Sequence, residues 1–366
     1  MRSYCFILFF LLLLFNSCSS NFKQVEDYKK SKVVKQDLRL KHLKSFTIKT
    51  RSDSVTIANL LTKISVNSDG SRLAFKDLVY ESILVVDNKG NILFTVGGSG
   101  KGPAEFVKIL SWGFDENNNL IVVDEGQRLI KIFDSSGNLN KAVKIFRTEN
   151  FGTVGRYLYA MNGLIYLPGT ESEYIMNSWK SKLIAILNYR GETQKIIGKY
   201  DPYVEFGKIY LSDPIIDINF ESGQIFSTHS NSYRIQVWDL KTFNRLAYFG
   251  RRSRNFEESD EKIESFLPQR KIFEMSINQS FTNGLFFTKK YLLFHFQNLT
   301  EEWFKERNTD DKIYFIAIYN RANHNFNAEI KLPYPLGAVQ NNKLYLVEDN
   351  NPNHYTIGVY EIQKGH

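Results

Sequence analysis

The sequence predicts an all-β protein, a six-bladed β-propeller with four-stranded antiparallel blades, and three observations lead to it. The first is composition: 43% of the 366 residues are hydrophobic and 14% aromatic, with 29 Phe and 20 Tyr, a weighting that favours sheet over helix bundles. The second is a repeat of short apolar strands separated by tight polar turns. The third is its spacing. Successive copies begin 43 to 54 residues apart, with one interval of 79, close to the roughly 40–50 residues of a propeller blade.

The clearest copy of the repeat runs from residue 119 to 145. The turn Asp134–Asn138 places Gly137 where a positive φ is required, as in a tight hairpin turn. The alternation and the buried apolar run around it are typical of strands. The predicted strands of this copy are Leu120–Val123, Leu129–Phe133 and Leu139–Ile145.

Six copies of this design account for the whole body of the chain. In each copy, one apolar strand ends in a polar residue: Ile83–Asp87, Leu129–Asp134, Leu183–Asn188, Arg234–Asp239, Ile313–Asn320 and Thr356–Glu361. Another apolar strand precedes it: Arg72–Phe75, Leu120–Val123, Leu164–Leu167, Gln224–Ser227, Tyr291–Phe296 and Lys343–Val347. A β-sandwich is the alternative fold, and the regular period argues against it.

The limits of the predicted propeller follow from the repeat. We expect the domain to cover residues 45–366, with Ser45–Lys49 pairing with the last blade, because joining both ends of the chain in one sheet closes the ring. The long interval of 79 residues contains two charged, helix-compatible inserts, Asn255–Lys271 and Thr300–Lys312. We expect these inserts to form a raised lip on one side of the disc, where a partner could be held.

The N-terminal residues predict export. Arg2 precedes the apolar run Phe6–Phe15, which would rise about 15 Å as a helix, half of a bilayer core, so residues 1–17 are predicted to be a signal peptide. The following residues, Asn16-Ser17-Cys18-Ser19-Ser20, resemble the lipobox of bacterial lipoproteins. That resemblance implies cleavage before Cys18 and lipidation of this residue. An ordinary signal peptide with an incidental cysteine is the alternative.

The net charge of +8 belongs to the N-terminal end. Residues 1–51 hold 11 basic and 3 acidic residues, and the remainder holds 36 of each, which argues against a nucleic-acid partner. Residues 18–44 are predicted to be the lipidated cysteine and a Lys-rich tether, either lying against anionic head groups or solvated. With Cys5 removed and Cys18 lipidated, no cysteine is left for a disulfide or a thiolate metal site.

The loop that follows the first complete copy reads GKGPAEF, and it precedes LIVVD and RLIKIFDSSG. This order resembles the NHL repeat. With the lipobox and six copies, the chain is similar to the six-bladed propeller lipoproteins of Bacteroidetes, a family with no settled biochemical activity. Its G-x-G-x-G-P-x-E-F signature corresponds here to residues 98–106. The resemblance is close only over residues 83–145.

The same loop supplies the candidate ligand-binding residues, although a connector between blades explains it better. Its pattern fails the phosphate-loop spacing. Related "apolar-Gly … Phe" links recur at Gly198 to Phe206 and at Gly250 to Phe256, where Gly would supply a positive φ and Phe would plug the space between blades. The candidate residues are Gly100, Lys101, Gly102, Pro103, Glu105 and Phe106.

Metal and catalytic motifs are absent from the sequence. The six His are scattered, without metal-ligand spacing. Residues Asp115–Asn119 begin like a calcium loop, but Leu120 stands where that loop needs Gly, so a turn is predicted. No cofactor and no catalytic residue are predicted. A calcium ion held in the central channel by several blades stays open, because sequence alone does not reveal such a convergence.

Together these features predict a lipid-anchored protein of the cell envelope, in the outer membrane and facing the periplasm, that acts as a binding or protein-interaction module. Its expected partners are the membrane, through the anchor, and an unidentified protein or small molecule. The alternative is a metal-dependent hydrolase or lyase of the lactonase-like propeller type. A purely structural envelope protein is a third reading.

Overall fold

A computed structural model of the chain shows six antiparallel sheets, each with four strands as its basic unit, arranged as the blades of a ring. Blade 3 has one additional short strand, and a short parallel strand is added to blade 4. The described residues are 27–49, 51–52, 55–56, 60–145, 151–153, 157–171, 181–201, 213–258, 274, 277, 279–306, 312–351 and 354–365. The predicted all-β, six-bladed propeller is confirmed.

The strands follow one another in the order of the blades. Before blade 1 lie β1 (Lys29–Lys30), β2 (Leu38–Lys49), β3 (Arg51–Ser52) and β4 (Val55–Thr56). Blade 1 contains β5 (Leu60–Val66), β6 (Arg72–Asp77), β7 (Ser82–Asp87) and β8 (Ile92–Gly97). Blade 2 contains β9 (Ile109–Phe114), β10 (Leu120–Asp124), β11 (Leu129–Phe133) and β12 (Leu139–Lys144). Blade 3 contains β13 (Phe151–Thr153), β14 (Tyr159–Met161), β15 (Leu164–Glu171), β16 (Ile184–Asn188) and β17 (Thr193–Ile197).

The second half of the ring has the same design. Blade 4 contains β18 (Pro214–Asn219), β19 (Gln224–His229), β20 (Arg234–Asp239) and β21 (Arg245–Gly250). Blade 5 contains β22 (Ser280–Phe287), β23 (Tyr291–Leu299), the short helix α1 (Glu301–Glu306), β24 (Lys312–Asn320) and β25 (Phe326–Leu332). Blade 6 contains β26 (Leu336–Gln340), β27 (Lys343–Asn351) and β28 (His354–Lys364), and its fourth strand is β2.

The ring is closed by the N-terminal strand, as predicted. Strand β2 pairs antiparallel with β28, from Leu38 opposite Lys364 to Lys49 opposite His354. The strand begins at Leu38 rather than at Ser45, because the backbone already pairs with β28 from Leu38 onward.

The segment before β2 also lies on the propeller, which differs from the tether predicted for residues 18–44. Strand β1 pairs in parallel with β21, the outer strand of blade 4, and Val33 forms a bridge with Phe326 at the edge of blade 5. Residues 27–44 therefore run along the outer edges of blades 4, 5 and 6, covering strands that would otherwise expose unpaired backbone groups. Residues 18–26 lie outside the described residues.

The polar residue that ends each third strand caps the turn that follows. In blade 1 the Asp87 carboxylate accepts hydrogen bonds from the backbone N–H groups of Lys89 and Asn91, both at 2.8 Å. Such side-chain acceptors stabilise tight turns. Blade 6 has no such turn because its fourth strand comes from the other end of the chain. Equivalent caps are Asp134, Asn188, Asp239 and Asn320.

The hydrophobic core is divided into six clusters, one between each pair of neighbouring blades. Strand β10 shows why the second strands read as continuous apolar runs. Leu120 and Val122 pack toward blade 1, whereas Ile121 and Val123 pack toward blade 3. A strand buried on both faces needs apolar side chains at every position.

The alternation of strands gives the disc two distinct faces. The turns between first and second strands and between third and fourth strands lie on one side, here called the turn face. The turns between second and third strands and the links between blades lie on the other, the connector face. The described residues of both predicted inserts lie on the connector face: α1 confirms part of the second as helical, and residues 255–258 of the first are not helical. Residues 259–271 and 307–311 lie outside the described residues.

Two histidines are completely buried in blades 4 and 5. His229 packs beside the Tyr200 ring, and His295 lies between Phe286 and Tyr314. Neither ring has a hydrogen-bond partner among the residues that the structure describes. Burial lowers the pKa of each from 6.5 to about 3, so both are neutral in the folded protein at neutral pH.

We therefore predict that acid destabilises the protein through these histidines. Below pH 6.5 the unfolded chain binds protons that the folded chain does not bind until about pH 3. Stability should thus fall as the pH drops, by about 2 kcal/mol for each histidine at pH 5 relative to pH 7.5. Urea unfolding at several pH values measures this loss. The double variant His229→Phe and His295→Phe should show a flatter profile, because neither imidazole is then left to take up a proton on unfolding. Parallel profiles for wild type and double variant would contradict the prediction.

Candidate functional site

The innermost strands surround a central cavity of about 400 Å³. Every blade contributes to its wall, and the cavity includes residues of the turns between first and second strands, such as Ser68 and Asn341. It therefore opens on the turn face. A concave site of this size suits a small molecule. The first strands run from the connector face toward the turn face, so the lining residue that comes earliest in each blade lies furthest along the strand from the turns at the opening. These residues are Lys63, Trp112, Tyr157, Asp217, Phe286 and Ala338.

A lysine between two aromatic rings forms the floor of the cavity. The Lys63 ammonium lies 4.1 Å from the centre of the Trp112 ring and 4.6 Å from that of Tyr157. The residue is 9% exposed. Contacts of this kind are attractive because the ring face is negative, and they strengthen when the cation is desolvated. The two rings hold the ammonium at the floor of the cavity.

Both rings are themselves held by hydrogen bonds to other blades. The Trp112 Nε1–H donates to the carbonyl oxygen of Ala74 in blade 1 at 3.1 Å. The Tyr157 hydroxyl donates to the carbonyl oxygen of Asn283 in blade 5 at 3.2 Å. Tyr157 belongs to blade 3, so its side chain spans the channel. The floor is thus built from four blades and is rigid.

A buried carboxyl group lies on the blade opposite Lys63. Asp217 is in the first strand of blade 4, and one of its oxygens accepts a hydrogen bond from the backbone N–H of Ile218 at 2.8 Å. Burial raises the pKa of Asp217 well above its usual value, although its contact with Tyr159 and the Ile218 hydrogen bond act in the other direction. The neutral form of this carboxyl group is favoured.

The mouth of the cavity is tied together by hydrogen bonds between adjacent turns. The Asn67 side chain of blade 1 donates to the Asn118 side chain of blade 2 at 2.8 Å. Such links limit the movement of the turns, so the entrance is preformed. Others join Glu116 to the Asn162 N–H, Asn342 to the Lys289 N–H, and Gln340 to the Ser68 carbonyl.

The candidate ligand-binding residues of the sequence analysis lie elsewhere, on the connector face between blades 1 and 2. Lys101 and Pro103 are exposed, and the Glu105 carboxylate turns back to accept a hydrogen bond from the Gly102 N–H at 2.7 Å. The backbone carbonyls of Gly102 and Glu105 accept hydrogen bonds from the buried Lys131 ammonium. Gly100 donates its N–H to the Phe106 carbonyl. Most polar groups of this loop are therefore engaged within the protein.

Phe106 fills the space between the two blades. It is fully buried, and a Cβ added at Gly97 would lie 2.3 Å from its ring, while Gly97 has a φ of +94°. Phe256 occupies the same position between blades 4 and 5, after Gly250. Phe206 lies outside the described residues. These contacts are what a blade connector requires.

Other sequence-based predictions can be placed as well. Asp115–Asn119 is a turn, in which the Asp115 carboxylate accepts hydrogen bonds from the N–H groups of Asn117 and Asn119. In the part of the chain that the structure describes, no three His, Cys, Asp or Glu residues are grouped so that they could hold a metal ion. Within the same residues, no helix has the length and hydrophobicity needed to cross a membrane.

The sequence analysis did not identify the cavity residues. Lys63 and Asp217 carried a signal, because each interrupts the apolar first strand of its repeat, in LLTKISV and PIIDIN. The predicted repeats were defined by the second and third strands of each blade, so the first strands were not compared. The cavity residues come together in one channel only because the ring is closed.

Comparisons with known proteins agree with the fold. No family model matches the sequence, and neither does any curated protein. A member of the DUF4221 family from Bacteroides vulgatus has a TM-score of 0.66 and 14% identity, over 91% of this chain and 100% of that one. A Bacteroides fragilis protein described as exported has a TM-score of 0.59 and 10% identity, over 93% of this chain and 99% of that one. The chain thus shares the fold of these Bacteroides proteins.

Proposed function

We propose that this protein is a lipid-anchored binding module of the cell envelope that takes a ligand into its central channel from the turn face. The observation that carries the proposal is the cavity of about 400 Å³ to which all six blades contribute side chains. Ligand sites of proteins are concave, largely apolar and preformed, with a few polar groups that set orientation. The channel meets each of these conditions.

The turn face is preferred to the connector face because the central cavity opens there. In the loop at residues 100–106, the hydrogen-bonding groups are largely used within the protein. The cavity, by contrast, is a concave space to which side chains of all six blades contribute. The inserts lie on the connector face, on the other side of the disc from the cavity opening, so they would not enclose this ligand.

The lipobox-like residues around Cys18 support anchoring in the envelope, as does the fold shared with a protein described as exported. Asp27 forms an ion pair of 3.2 Å with Arg245 at the rim of blade 4. Nine residue steps separate Cys18 from Asp27, a span of at most roughly 30 Å. The anchor would therefore hold the rim of blade 4 close to the membrane.

We predict that Cys18 carries the lipid. Produced in a bacterial host with a lipoprotein pathway, the wild-type protein should incorporate an alkyne-labelled fatty acid and partition into the detergent phase of Triton X-114. The Cys18→Ser variant should lose both properties, because it lacks the thiol to which the lipid is attached. The Cys5→Ser variant is the matched control and should keep them. A wild-type protein that stays unlabelled and in the aqueous phase would sink this prediction.

We further predict that blocking the channel mouth abolishes ligand capture. The mature chain with Cys18→Ser contains no other cysteine, so a single cysteine can be placed at will. Ser68→Cys puts one at the mouth, and Ser136→Cys puts one on an exposed turn of blade 2 that does not line the cavity. Each variant is labelled with a bulky maleimide, mixed with the small-molecule fraction of an envelope extract, and separated by gel filtration. Retained compounds are measured by mass spectrometry.

The labelled Ser68→Cys protein should lose the compounds that its unlabelled form retains. The labelled Ser136→Cys protein should keep them, because its label lies away from the mouth. Equal retention by both labelled proteins would place the ligand outside the channel and overturn the proposed site.

A further inference from the structure

A row of lysines lies along the outer edges of blades 4 and 5. Residues 29–35, here called the edge strap, read KKSKVVK. The strap pairs with β21 through Lys29 and Lys30 and forms a bridge to Phe326 through Val33. Within the described part of the chain, none of its lysine side chains forms an ion pair or a hydrogen bond with another residue. The strap thus presents four positive charges to solvent, those of Lys29, Lys30, Lys32 and Lys35.

The acidic groups near the strap do not cancel these charges. Both outer strands lie wholly within the described residues, and between them they carry one carboxylate, Glu329 on β25, a strand that also carries a lysine. The carboxylates that precede the strap, follow it or lie on the link from blade 4 to blade 5 are already in ion pairs. These pairs are Asp27–Arg245, Asp37–Arg39, Arg252–Glu257 and Arg234–Glu258.

Apolar side chains are exposed beside these lysines. Val33 and Val34 of the strap are exposed, and so is Leu246 on β21, at 55%. Lysines next to exposed apolar side chains are typical of surfaces that lie on a membrane, because the charges attract anionic head groups and the apolar groups enter the boundary with the acyl chains. A nucleic acid would use the charges but leave the apolar side chains in water. The strap therefore fits a lipid surface better.

A groove of about 840 Å³ lies between the strap, β21 and the turn of residues 322–325 in blade 5. Its charged lining residues are Asp27, Lys29, Lys30, Lys32 and Arg245. The first and last of these pair with each other at 3.2 Å, so the net charge of the groove is that of the three lysines. Ammonium groups make strong, charge-assisted hydrogen bonds to phosphate oxygens. The groove thus has the volume for a phospholipid head group and the donors for its phosphate.

We propose that the edge strap is a second membrane contact, which lays the outer edge of blades 4 and 5 on a lipid surface rich in anionic head groups. The proposal deepens the proposed function and rests on it, because the lipid on Cys18 would bring this edge to the membrane. Eleven residue steps separate Cys18 from Lys29, a span of at most roughly 40 Å. The disc would then stand on its edge, and the channel mouth on the turn face would stay open to water.

Vesicle binding by the chain without its lipid tests this contact separately from the anchor and from the channel ligand. The mature Cys18→Ser chain is sedimented with vesicles that contain phosphatidylethanolamine and phosphatidylglycerol, or with vesicles of phosphatidylcholine alone. We expect binding to the anionic vesicles to be at least about tenfold tighter, because each lysine near an anionic surface strengthens binding by about fivefold.

Two quadruple variants locate the contact. Glutamine at the four strap lysines should weaken binding to the anionic vesicles by about tenfold or more. Glutamine at four exposed lysines on the opposite half of the ring, in blades 1 and 2 and their link, should weaken it less than about threefold, because the ring separates those charges from the strap by more than the Debye length of about 10 Å. The strap variant is Lys29→Gln, Lys30→Gln, Lys32→Gln and Lys35→Gln, and the control is Lys89→Gln, Lys101→Gln, Lys141→Gln and Lys144→Gln.

A fluorescent label tests the orientation of the disc. In the Cys18→Ser chain, Val33→Cys is labelled with a nitrobenzoxadiazole dye, whose emission should strengthen and shift to shorter wavelength on anionic vesicles, because the dye leaves water. The same dye at Ser68→Cys, at the channel mouth, or at Ser136→Cys, on blade 2, should keep its emission in water.

Several outcomes would overturn the proposal while leaving the anchor and the channel ligand untouched. They are equal binding to the two kinds of vesicle, an equal loss in the two quadruple variants, and a dye at position 33 that stays in water on bound vesicles. Binding of a short DNA duplex as tight as that of the anionic vesicles would assign the charges to a nucleic acid instead. Thermal unfolding establishes that the strap variant is folded. If it is not, the dye at position 33 on the otherwise unmodified strap decides.

Discussion

The whole architecture depends on one pairing, that of the N-terminal strand β2 with β28 at the end of the chain. Eleven residue pairs join these strands. This pairing closes the ring, whereas the contacts between neighbouring blades only place one blade beside the next. Phe46 and Ile48 of β2 contribute to the hydrophobic cluster between blades 6 and 1. Without β2, blade 6 would lose its fourth strand and this cluster two of its buried side chains, so both ends of the ring would expose apolar surface to water.

Closure also explains the channel. Six first strands are held at the centre because each blade is packed between two neighbours, and their inward side chains then share one space. In that space Lys63 is held by rings from blades 2 and 3, and Asp217 is kept from water on blade 4. The ligand proposal follows from this arrangement rather than from any local motif.

Much of the fold could be predicted because its signals are local. Strands buried on both faces produce continuous apolar runs, as in Leu120–Val123, and a side chain such as Asp87 must cap each turn between third and fourth strands. The sixth repeat ends in Glu361 and is not followed by a turn and another strand. This is consistent with a fourth strand that comes from the N-terminal part of the chain. These patterns depend on the period of a strand and on turn chemistry, which a sequence displays directly.

The site could not be predicted in the same way, because its members are brought together by the ring. Lys63 and Asp217 are 154 positions apart in the chain, and only the number and order of blades put them opposite each other. The attachment of residues 27–37 to blades 4 and 5 could not be predicted from the sequence either. Lys29 and Val33 lie in contacts of only one or two residue pairs with the edge strands, and such short contacts leave no alternating apolar pattern. The composition of the glycine-rich loop suggested a ligand site, yet its contacts with the buried Lys131 and Phe106 are those of a connector between blades.

Native-state hydrogen exchange tests the central role of ring closure most directly. If the pairing of β2 with β28 holds the ring together, amides of residues 38–49 should exchange only with a free energy of opening equal to that of the inner strands β5, β9 and β18, near the global free energy of unfolding. Exchange of residues 38–49 through a far cheaper local opening, while those inner strands stay protected, would contradict the account.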